Sequence, residues 1–519
     1  MYVVNERVSL DGYLATIKFV GYLPDHIWGA KVLALGLEWD QLERGRNNGD
    51  IDGVHYFYTD VEGSGSFVKA TNKKLAKRKD FIEALLEKYH PEDNHINDTI
   101  KFGAKEAEKI GFDKLEEIQS DFKNLRTISL NKESIYNSFN DEALVPKLVH
   151  NLAYIRNLDL SYNLFNDLNK IWEIIDPLSN LKELVLDGNR FFNSINEVKH
   201  NFSVKKLSLC FTKLNVDLLF NVILKKFPCL EEIELACNDY DNIKLAHSGL
   251  DHKLLSRINL SGNYFQLIPT SLLIYDNVHE LDLGGNIISS FCTDRQFYNV
   301  LYLDVSRNRV DNWKEIDALA SSFPNLEELR VNGNPLFNGM EADEMMNGLI
   351  ARFECGSKNN IGKGKVRKLN GVALTEDEIK NAELYFISKV KRGLVSFDTG
   401  SQRWLRMIEK YQITNEPIQD YSENIKWSNM VPLTVKLENG KILFHKNFPL
   451  SASILRIKGT ISKNLDLPIL YFKVYFYADE LSQNTKKLIK HYFDDNNSVL
   501  DYYGISPNQT MYVELLQCK

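Results

Sequence analysis

Apolar and polar residues alternate in a short pattern that recurs through the middle of the chain. Residues 158–163 read LDLSYN, in which leucines at alternate positions are followed by an asparagine. Altered copies begin at Leu184, Ile258, Leu281, Leu303 and Leu329, and weaker copies begin at Ile128, Leu207 and Ile233. Alternate side chains of a strand share one face, and an asparagine amide can bond to the backbone where the chain leaves the strand. Each copy therefore predicts a short strand stacked on the next, because one copy is too small to bury its own apolar face.

In most copies a further apolar residue lies three positions earlier, which gives the spacing L-x-x-L-x-L-x-x-N. This spacing resembles the leucine-rich-repeat family, and the resemblance implies a solenoid over residues 116–350 with a concave sheet along one side. The Phe-Pro pairs at 227–228 and 323–324 predict the ends of helices, because proline is not accommodated inside a helix. Residues 351–412 resemble the C-terminal cap of such arrays, in which an amphipathic helix covers the last repeat.

The residues between and beside the signature leucines should point outward from the concave sheet. Acidic side chains dominate these positions, at Asp159, Glu183, Asp187, Glu232, Glu234, Glu280, Asp282, Asp304 and Glu328. The basic residues at equivalent positions are Lys206, Arg257 and Arg330. The sequence predicts an acidic inner face, which is either a binding surface, as solenoids often use their concavity, or a solvated polar surface.

Short apolar runs separated by glycines fill residues 1–80. Strands between glycine turns predict a small β-barrel. The segment contains, in order, E-W-D at 38–40, G-R-N-N-G at 45–49, H-Y-F at 55–57 and G-S-G-S-F at 63–67. In this order the motifs resemble the CAP-Gly family, and they cover almost the whole module.

In that family the glycine-rich loop and neighbouring aromatic residues form a groove for an acidic C-terminal tail with a terminal aromatic residue, as on α-tubulin. The resemblance assigns this role to Gly45, Arg46, Asn47, Asn48 and Gly49, with Trp39, Phe57 and Phe67 as apolar walls. The two glycines would let the backbone approach a ligand, Asn47 would donate to its carbonyl groups, and Arg46 would face a carboxylate. Arg46 and Asn48 stand where the family usually has lysine and aspartate, which leaves the preferred tail sequence open. The alternative is that the aromatic residues only fill the barrel core.

The last part of the chain, residues 431–519, has a third texture. A hairpin pattern from Leu433 to Leu450 is followed by a helical pattern from Ser453 to Ile461, and then by further strand-like runs up to Leu515. This order resembles a ubiquitin-like β-grasp domain. The sequence ends without a Gly-Gly pair, so we expect a docking surface rather than a conjugated modifier. Polar stretches at 81–115 and 413–430 are predicted linkers.

Composition narrows the function. The 519 residues carry 63 basic and 70 acidic side chains, a net charge of -7 that gives no general attraction to nucleic acid. The first residues lack a leader pattern and no apolar run approaches the roughly 18 residues that span a bilayer, so we expect a cytoplasmic protein with no membrane partner. Scattered cysteines and unpaired histidines predict neither a metal site nor a cofactor. The loop at 356–364 has one residue too many for a phosphate loop and lacks its Ser or Thr, so no enzyme is expected.

The combined order of the modules resembles the tubulin-folding cofactor E family over nearly the whole chain. The resemblance implies a chaperone that binds α-tubulin and works with other tubulin-folding cofactors to assemble or dismantle the αβ-heterodimer, in the cytoplasm and associated with the cytoskeleton. Two alternatives stay open. One is a microtubule-associated adaptor that binds tubulin tails in the polymer. The other is an adaptor whose ubiquitin-like domain docks to the proteasome.

Overall fold

The protein is described here by a computed structural model, which divides into two compact units, Met1–Glu416 and Pro417–Lys519. The residues that the structure describes are 2–29, 31–89, 101–102, 105–106, 125–139, 152, 154–192, 201–244, 253–293, 295–357, 365–414, 430–482, 485–496, 498–505 and 509–516. The linker predicted over 413–430 lies outside the described residues except at its two ends.

The N-terminal module is built on an antiparallel sheet in the linear order β1-β2-β3-β6. Its strands are β1 (Arg7–Leu10), β2 (Tyr13–Tyr22), β3 (Leu33–Trp39), β4 (Asp50–Ile51), β5 (Val54–His55) and β6 (Gly65–Lys69), with a short helix α1 (Asp25–Trp28). Strands β4 and β5 pair only with each other among the described residues. The glycine spacing predicted a small barrel. The hydrogen bonds between the described strands form a four-stranded sheet and a separate hairpin.

The repeats form a parallel sheet whose strands follow one another in chain order. These strands are β10 (Thr127–Ser129), β12 (Asn157–Asp159), β13 (Glu183–Val185), β14 (Lys206–Ser208), β15 (Glu232–Glu234), β16 (Arg257–Asn259), β17 (Glu280–Asp282), β18 (Tyr302–Asp304), β19 (Glu328–Arg330) and β20 (Lys368–Leu369), with β21 (Val372–Ala373) antiparallel at the end. The signature residues pair in register, for example Leu281 with Leu303 and Leu303 with Leu329. Each is buried, as the alternating pattern predicted.

Helical segments pack against the same core as the strands. They are α2 (Phe81–Tyr89), α3 (Leu168–Ile175), α4 (Val216–Leu218), α5 (Trp313–Ser322) and α6 (Ala342–Arg352), with shorter turns at Leu42–Arg44 in the module and at Leu219–Ile223, Leu224–Lys226, Thr270–Ile274 and Pro335–Phe337 in the array. The remaining short strands are β7 (Lys79–Asp80), β8 (Lys101–Phe102), β9 (Lys105–Glu106) and β11 (Ile135–Asn137), and β7 runs parallel to β11.

The start of the predicted 81–115 linker belongs to the array. Helix α2 buries Phe81, Ile82 and Leu85 in the repeat core, and the Tyr89 hydroxyl accepts a hydrogen bond of 2.9 Å from the Ser129 backbone N–H. These apolar residues recur at helical spacing, so the helix presents one apolar face to the first strands. Charged residues lie just before this helix, and for this reason the sequence pattern predicted a linker here.

Asparagines join each repeat to its neighbour. The Asn263 amide donates to the carbonyl of Leu260 in its own repeat (2.9 Å) and to that of Leu235 in the repeat before (3.0 Å). Its oxygen accepts from the backbone N–H of Asn238 at 2.9 Å. The same pair of donated bonds is made by Asn163, Asn189, Asn238, Asn286, Asn308 and Asn334. The turn-stabilising role predicted for these residues is confirmed.

Two helices follow the last repeat strands, α7 (Glu376–Lys391) and α8 (Gln402–Lys410). Helix α7 begins with a capping box between Thr375 and Glu378. Phe386 of α7 and Trp404 of α8 share a small apolar core with Ala351 of α6, so both helices pack against the end of the array.

The second unit has a mixed sheet in the order β23-β22-β26-β24-β25. Its elements are β22 (Met430–Leu437), β23 (Ile442–Pro449), α9 (Ile454–Leu465), β24 (Phe472–Ser482), β25 (Thr485–Tyr492) and β26 (Thr510–Leu515), with short turns at Ile469–Tyr471 and Leu500–Tyr503. Strands β22 and β26 are parallel and the other pairs are antiparallel. Helix α9 covers one face of the sheet through Ile457 and Ile461, which gives the β-grasp arrangement that the sequence predicted.

Candidate functional site

The glycine-rich loop at 45–49 is tied to the first residue of β6. The backbone N–H of Arg46 donates to the Gly65 carbonyl at 2.7 Å, and the Gly65 N–H donates to the Asn47 carbonyl at 2.8 Å. The Asn47 side-chain oxygen accepts from the Gly49 N–H at 3.1 Å, and that of Asn48 accepts from the Gly63 N–H. Both asparagine side chains therefore use their oxygens to hold the loop.

The two loop glycines are needed for packing inside the module. A Cβ at Gly45 would lie 1.8 Å from the Gly63 carbonyl oxygen, and one at Gly49 would lie 1.8 Å from the Phe57 carbonyl oxygen. Gly49 also has φ of +91°, which favours glycine. The sequence predicted that both glycines let the backbone come close to a ligand. In the structure, the atoms that come close to both glycines belong to the module's own backbone.

Four aromatic rings form a cluster, here called the aromatic surface, next to this loop. The Phe67 ring centroid lies 5.2 Å from that of Phe57, 5.5 Å from that of Tyr56 and 6.2 Å from that of Phe19. Gly36 makes room for this cluster, because a Cβ atom at position 36 would lie 2.3 Å from the Phe57 ring. Phe57 is buried, whereas the other three rings are partly exposed. The structure thus brings Phe57 and Phe67 together, as predicted for the walls of a groove, and adds two rings that sequence reasoning did not select.

Trp39 lies apart from the aromatic surface. Along β3 it shares one face with Leu35 and Leu37 in the module core, whereas Gly36 points to the opposite face, towards Phe57. The Arg44 guanidinium stacks on the Trp39 ring, 4.8 Å from its centroid. The position of Trp39 therefore agrees with the alternative stated from the sequence, in which the aromatic residues fill the core of the module.

Two exposed cationic side chains belong to the loop and to β6, the segments that adjoin the aromatic surface. Arg46 is exposed, and the described residues give its side chain neither a hydrogen bond nor an ion pair. Lys69 follows Phe67 by two positions on β6, so both side chains share a face, and its ammonium lies 5.6 Å from the ring centroid of the half-buried Trp28. Trp28 was also missed by sequence reasoning. Aromatic rings on segments that also carry exposed cations suit a peptide that carries both carboxylates and an aromatic side chain.

Glu38, of the E-W-D motif, holds the loop that leads into β6. Its Oε1 accepts from the Asp60 N–H at 2.6 Å, and its Oε2 lies 2.9 Å from the Lys18 ammonium. Burial disfavours the charged form of Lys18, but the bonds and charges of Glu38 and Asp60 outweigh burial and raise the pKa of Lys18. Lys18 therefore stays charged and is already paired, unlike Arg46.

The inner face of the repeat sheet carries an alternating row of charges. The first outward positions of successive strands pair in the order Glu183, Lys206, Glu232, Arg257 and Glu280. The Lys206 ammonium lies 3.7 Å from a carboxylate oxygen on each side, and Arg257 Nε lies 3.6 Å from Glu280. Further along the row, Glu328 pairs with Lys368 at 3.0 Å. The predicted acidic face is therefore largely neutralised along this row.

A second row retains an acidic excess. Glu234 and Asp282 lie on either side of Asn259 in register, and Asp304 pairs with Asp282. Burial raises the pKa of Asp282, and the neighbouring Asp304 and Glu234 add to the rise. Two cations oppose these charges: Arg330 lies 4.0 Å from Asp304 in the same row, and Arg257 of the first row lies 3.9 Å from Glu234.

Several of the predicted contact aspartates also have internal partners. Asp159, Asp282 and Asp304 each accept the backbone N–H two residues ahead, at 2.8 to 2.9 Å. Asp187 accepts from the Ser208 hydroxyl at 2.7 Å and from the Cys210 N–H at 2.8 Å. These carboxylates stabilise the turns after the strands, so only part of their hydrogen-bonding capacity faces outward.

In the described part of the chain, no cluster of three or more His, Cys, Asp or Glu side chains is arranged to hold a metal ion. Within those same ranges, no helix combines the length and the apolar character needed to cross a bilayer.

Comparison with known proteins covers the module and the whole chain. Residues 4–73 match the family model of the CAP-Gly domain. Protein PAC2 of Saccharomyces cerevisiae is 30% identical over 498 residues, which are 92% of this chain and 92% of that protein. Tubulin-specific chaperone E of Xenopus laevis is 26% identical over 539 residues, covering 95% and 97% of the two chains.

Among solved structures, the C-terminal ubiquitin-like domain of mouse tubulin-specific chaperone E is similar to part of this chain. It has 15% sequence identity and a TM-score of 0.16, and the match covers 19% of this chain and 97% of that domain.

Proposed function

We propose that this chain, which belongs to the family of Protein PAC2 and tubulin-specific chaperone E, is a tubulin-folding cofactor. The observation that carries the proposal is the 30% identity with Protein PAC2 over 92% of both chains. Because this match runs through the N-terminal module, the repeats and the C-terminal unit, it supports a shared role for the whole chain rather than one borrowed domain.

The partner that the aromatic surface fits best is α-tubulin, bound through its acidic tail. Phe19, Tyr56 and Phe67 offer partly exposed rings to a terminal aromatic side chain, and Arg46 and Lys69 offer cations to carboxylates. A charge-assisted hydrogen bond contributes about 1.5 to 3 kcal/mol, so one tail would bind modestly. The second acidic row of the repeat sheet would supply a further contact.

The proposed cofactor acts without catalysis, in the cytoplasm and in association with the cytoskeleton, together with other tubulin-folding cofactors. Its repeats would form a solenoid with α7 and α8 as the C-terminal cap. The packing of Phe386 and Trp404 on Ala351 supports this role for the two helices, because the end of a solenoid needs a cover.

The direct test mixes the purified full chain with αβ-tubulin and separates the products by size, with mass measurement of each peak. We expect a complex that retains α-tubulin. Cosedimentation with microtubules without any complex with the heterodimer would favour the adaptor function instead. Absence of both would contradict the proposal.

The tail site is tested with an acidic peptide that ends in tyrosine. Arg46→Ala should weaken binding of this peptide by about tenfold, because it removes one charge-assisted contact of about 1.5 kcal/mol. Lys73→Ala is the matched control, since Lys73 is also an exposed cation of the module but lies outside the loop and the aromatic surface. Equal affinity of both variants would remove Arg46 from the site.

A further inference from the structure

A charged cluster joins the N-terminal module to the repeat array. Asp40 follows β3, and its carboxylate accepts hydrogen bonds from both terminal nitrogens of Arg7, one of them at 2.7 Å. Arg190, in the loop after β13 of the array, has its Nε 3.6 Å from the same carboxylate. The Arg7 side chain is fully buried, and those of Asp40 and Arg190 are 22% and 19% exposed. One module carboxylate therefore lies between an arginine of the module and an arginine of the array.

Further contacts also join the two parts, among them the pairing of β7 at the end of the module with β11 of the array. The Asn166 amide donates to the Asn5 carbonyl at 3.0 Å. The Arg78 guanidinium lies between Tyr2 of the module and Tyr136 of the array, 4.9 and 4.8 Å from their ring centroids. Beside the charged cluster an open cleft of about 200 Å³ separates the two parts. Beside this cleft the ionic contact therefore holds the module against the array, in addition to the pairing of β7 with β11 at the end of the module.

Asp40 is the residue on which this contact depends. Burial lowers the pKa of Arg190, and the negative charge of Asp40 works against that effect. Without this carboxylate the two largely buried guanidinium groups of Arg7 and Arg190 would lose the anion that contacts both of them, and only the charges of Asp239 and Glu38 would still act on Arg190. Breaking a buried charge arrangement by removing one partner is strongly unfavourable, because the remaining charge stays desolvated and unpaired. The module would relieve this by separating from the array.

We propose that Asp40 is a positioning residue that fixes the N-terminal module on the repeat array, so that the aromatic surface and the inner face of the repeats engage one tubulin molecule together. This inference rests on the proposed function. Two linked sites raise each other's effective concentration only when both can be occupied at once. The docking contact would thus control affinity for whole tubulin without touching the tail site.

The test compares the full-length variants Asp40→Asn and Arg190→Gln, which attack the contact from its two sides. Asp11→Asn is the matched control, because Asp11 forms an exposed ion pair with Lys74 inside the module, at 2.7 Å. Each variant is measured for affinity to the acidic tyrosine-ended peptide, for affinity to αβ-tubulin, and for amide hydrogen exchange over residues 2–8 and 160–192.

We expect both docking variants to bind tubulin about tenfold or more weakly while peptide affinity stays within about twofold, and to exchange faster over both segments. The control should match the wild type in all three measurements. Unchanged exchange and tubulin affinity in both docking variants would overturn the proposal, as would a loss of peptide binding equal to the loss of tubulin binding. If the wild type itself binds no tubulin, the proposed function fails, and the exchange data still decide whether Asp40 holds the module in place.

Discussion

Single asparagines carry much of the cohesion between repeats. The buried Asn286 amide donates to Leu260 at 3.0 Å and to Leu283 at 2.9 Å, and its oxygen accepts from the Phe265 N–H at 3.1 Å. One side chain thus satisfies three backbone groups in two successive repeats. A strand ladder alone would leave these groups without partners where the chain turns.

Asn286→Ala should therefore lower the free energy of unfolding by at least about 2 kcal/mol, because each buried backbone group left without a partner costs about 1 to 3 kcal/mol. Urea unfolding of the full chain measures the change. Asn299→Ala is the control, since Asn299 is an exposed asparagine of the same array. Equal losses in the two variants would show that the ladder of amide bonds does not stabilise the array.

The sequence made the roles of the asparagines predictable but not the composition of the aromatic surface. By alternation Phe19 should share a face with Ala15 and Ile17, yet a shift of register between Ile17 and Phe19 turns its ring to the other side of the sheet. A bulge of this kind leaves no clear mark in the pattern of apolar residues. Trp39 shows the opposite case, because it keeps the parity of Leu35 and Leu37 along β3 and so lies with them in the core.

At the scale of elements, a buried carboxylate joins the two helices after the repeats. Glu383 of α7 is 1% exposed at its side chain and accepts from Arg403, Lys410 and Tyr411, each at 2.6 Å. Burial acts to raise the pKa of Glu383, but the Arg403 charge and the three hydrogen bonds outweigh it, so this pKa is lowered. The ionised form is therefore the one that holds α8 against α7.

Glu383→Gln should destabilise the first unit by roughly 3 kcal/mol at pH 7, because it leaves the largely buried Arg403 guanidinium without its carboxylate partner. A carboxyl whose pKa is lower in the folded state contributes stability above its unfolded pKa of about 4.3 and loses it as pH falls through the folded value. The gap between wild type and variant should thus narrow below about pH 4 in urea unfolding measured from pH 7 to pH 3. The exposed Glu409→Gln serves as control, and a gap that stays constant with pH would exclude ionised Glu383 as its cause.

Element types were easier to predict than the way their side chains meet. The signature leucines placed the repeat strands in register, because burial on one face allows only one alignment. The alternation of charge from Glu183 to Lys206 to Glu232 could not be recognised in the sequence. These residues are more than twenty positions apart and become neighbours only across strands. Counting acidic residues along the chain therefore overstated the charge of the inner face.

For the molecule as a whole, the order of the modules could be predicted, and their docking could not. Each module carries its own motif, so its identity is local information. The contact of Asp40 with Arg190 joins residues 150 positions apart, and neither belongs to a motif that names its partner. The charges of such a contact are indistinguishable in the sequence from those of solvated side chains.

The two units contain separate cores, and this predicts how the full chain should melt. Leu283 is fully buried in the repeat core, and Leu433 is 1% exposed in the core of the C-terminal unit. Leu283→Ala and Leu433→Ala should each cost about 2 to 5 kcal/mol through the cavity they leave, but in different transitions of one calorimetric scan. Because the described residues of each core come from one unit alone, each substitution should lower one transition and leave the other in place. A shift of both transitions by either variant would mean that the units unfold cooperatively, and the chain would then have to be treated as a single folding unit.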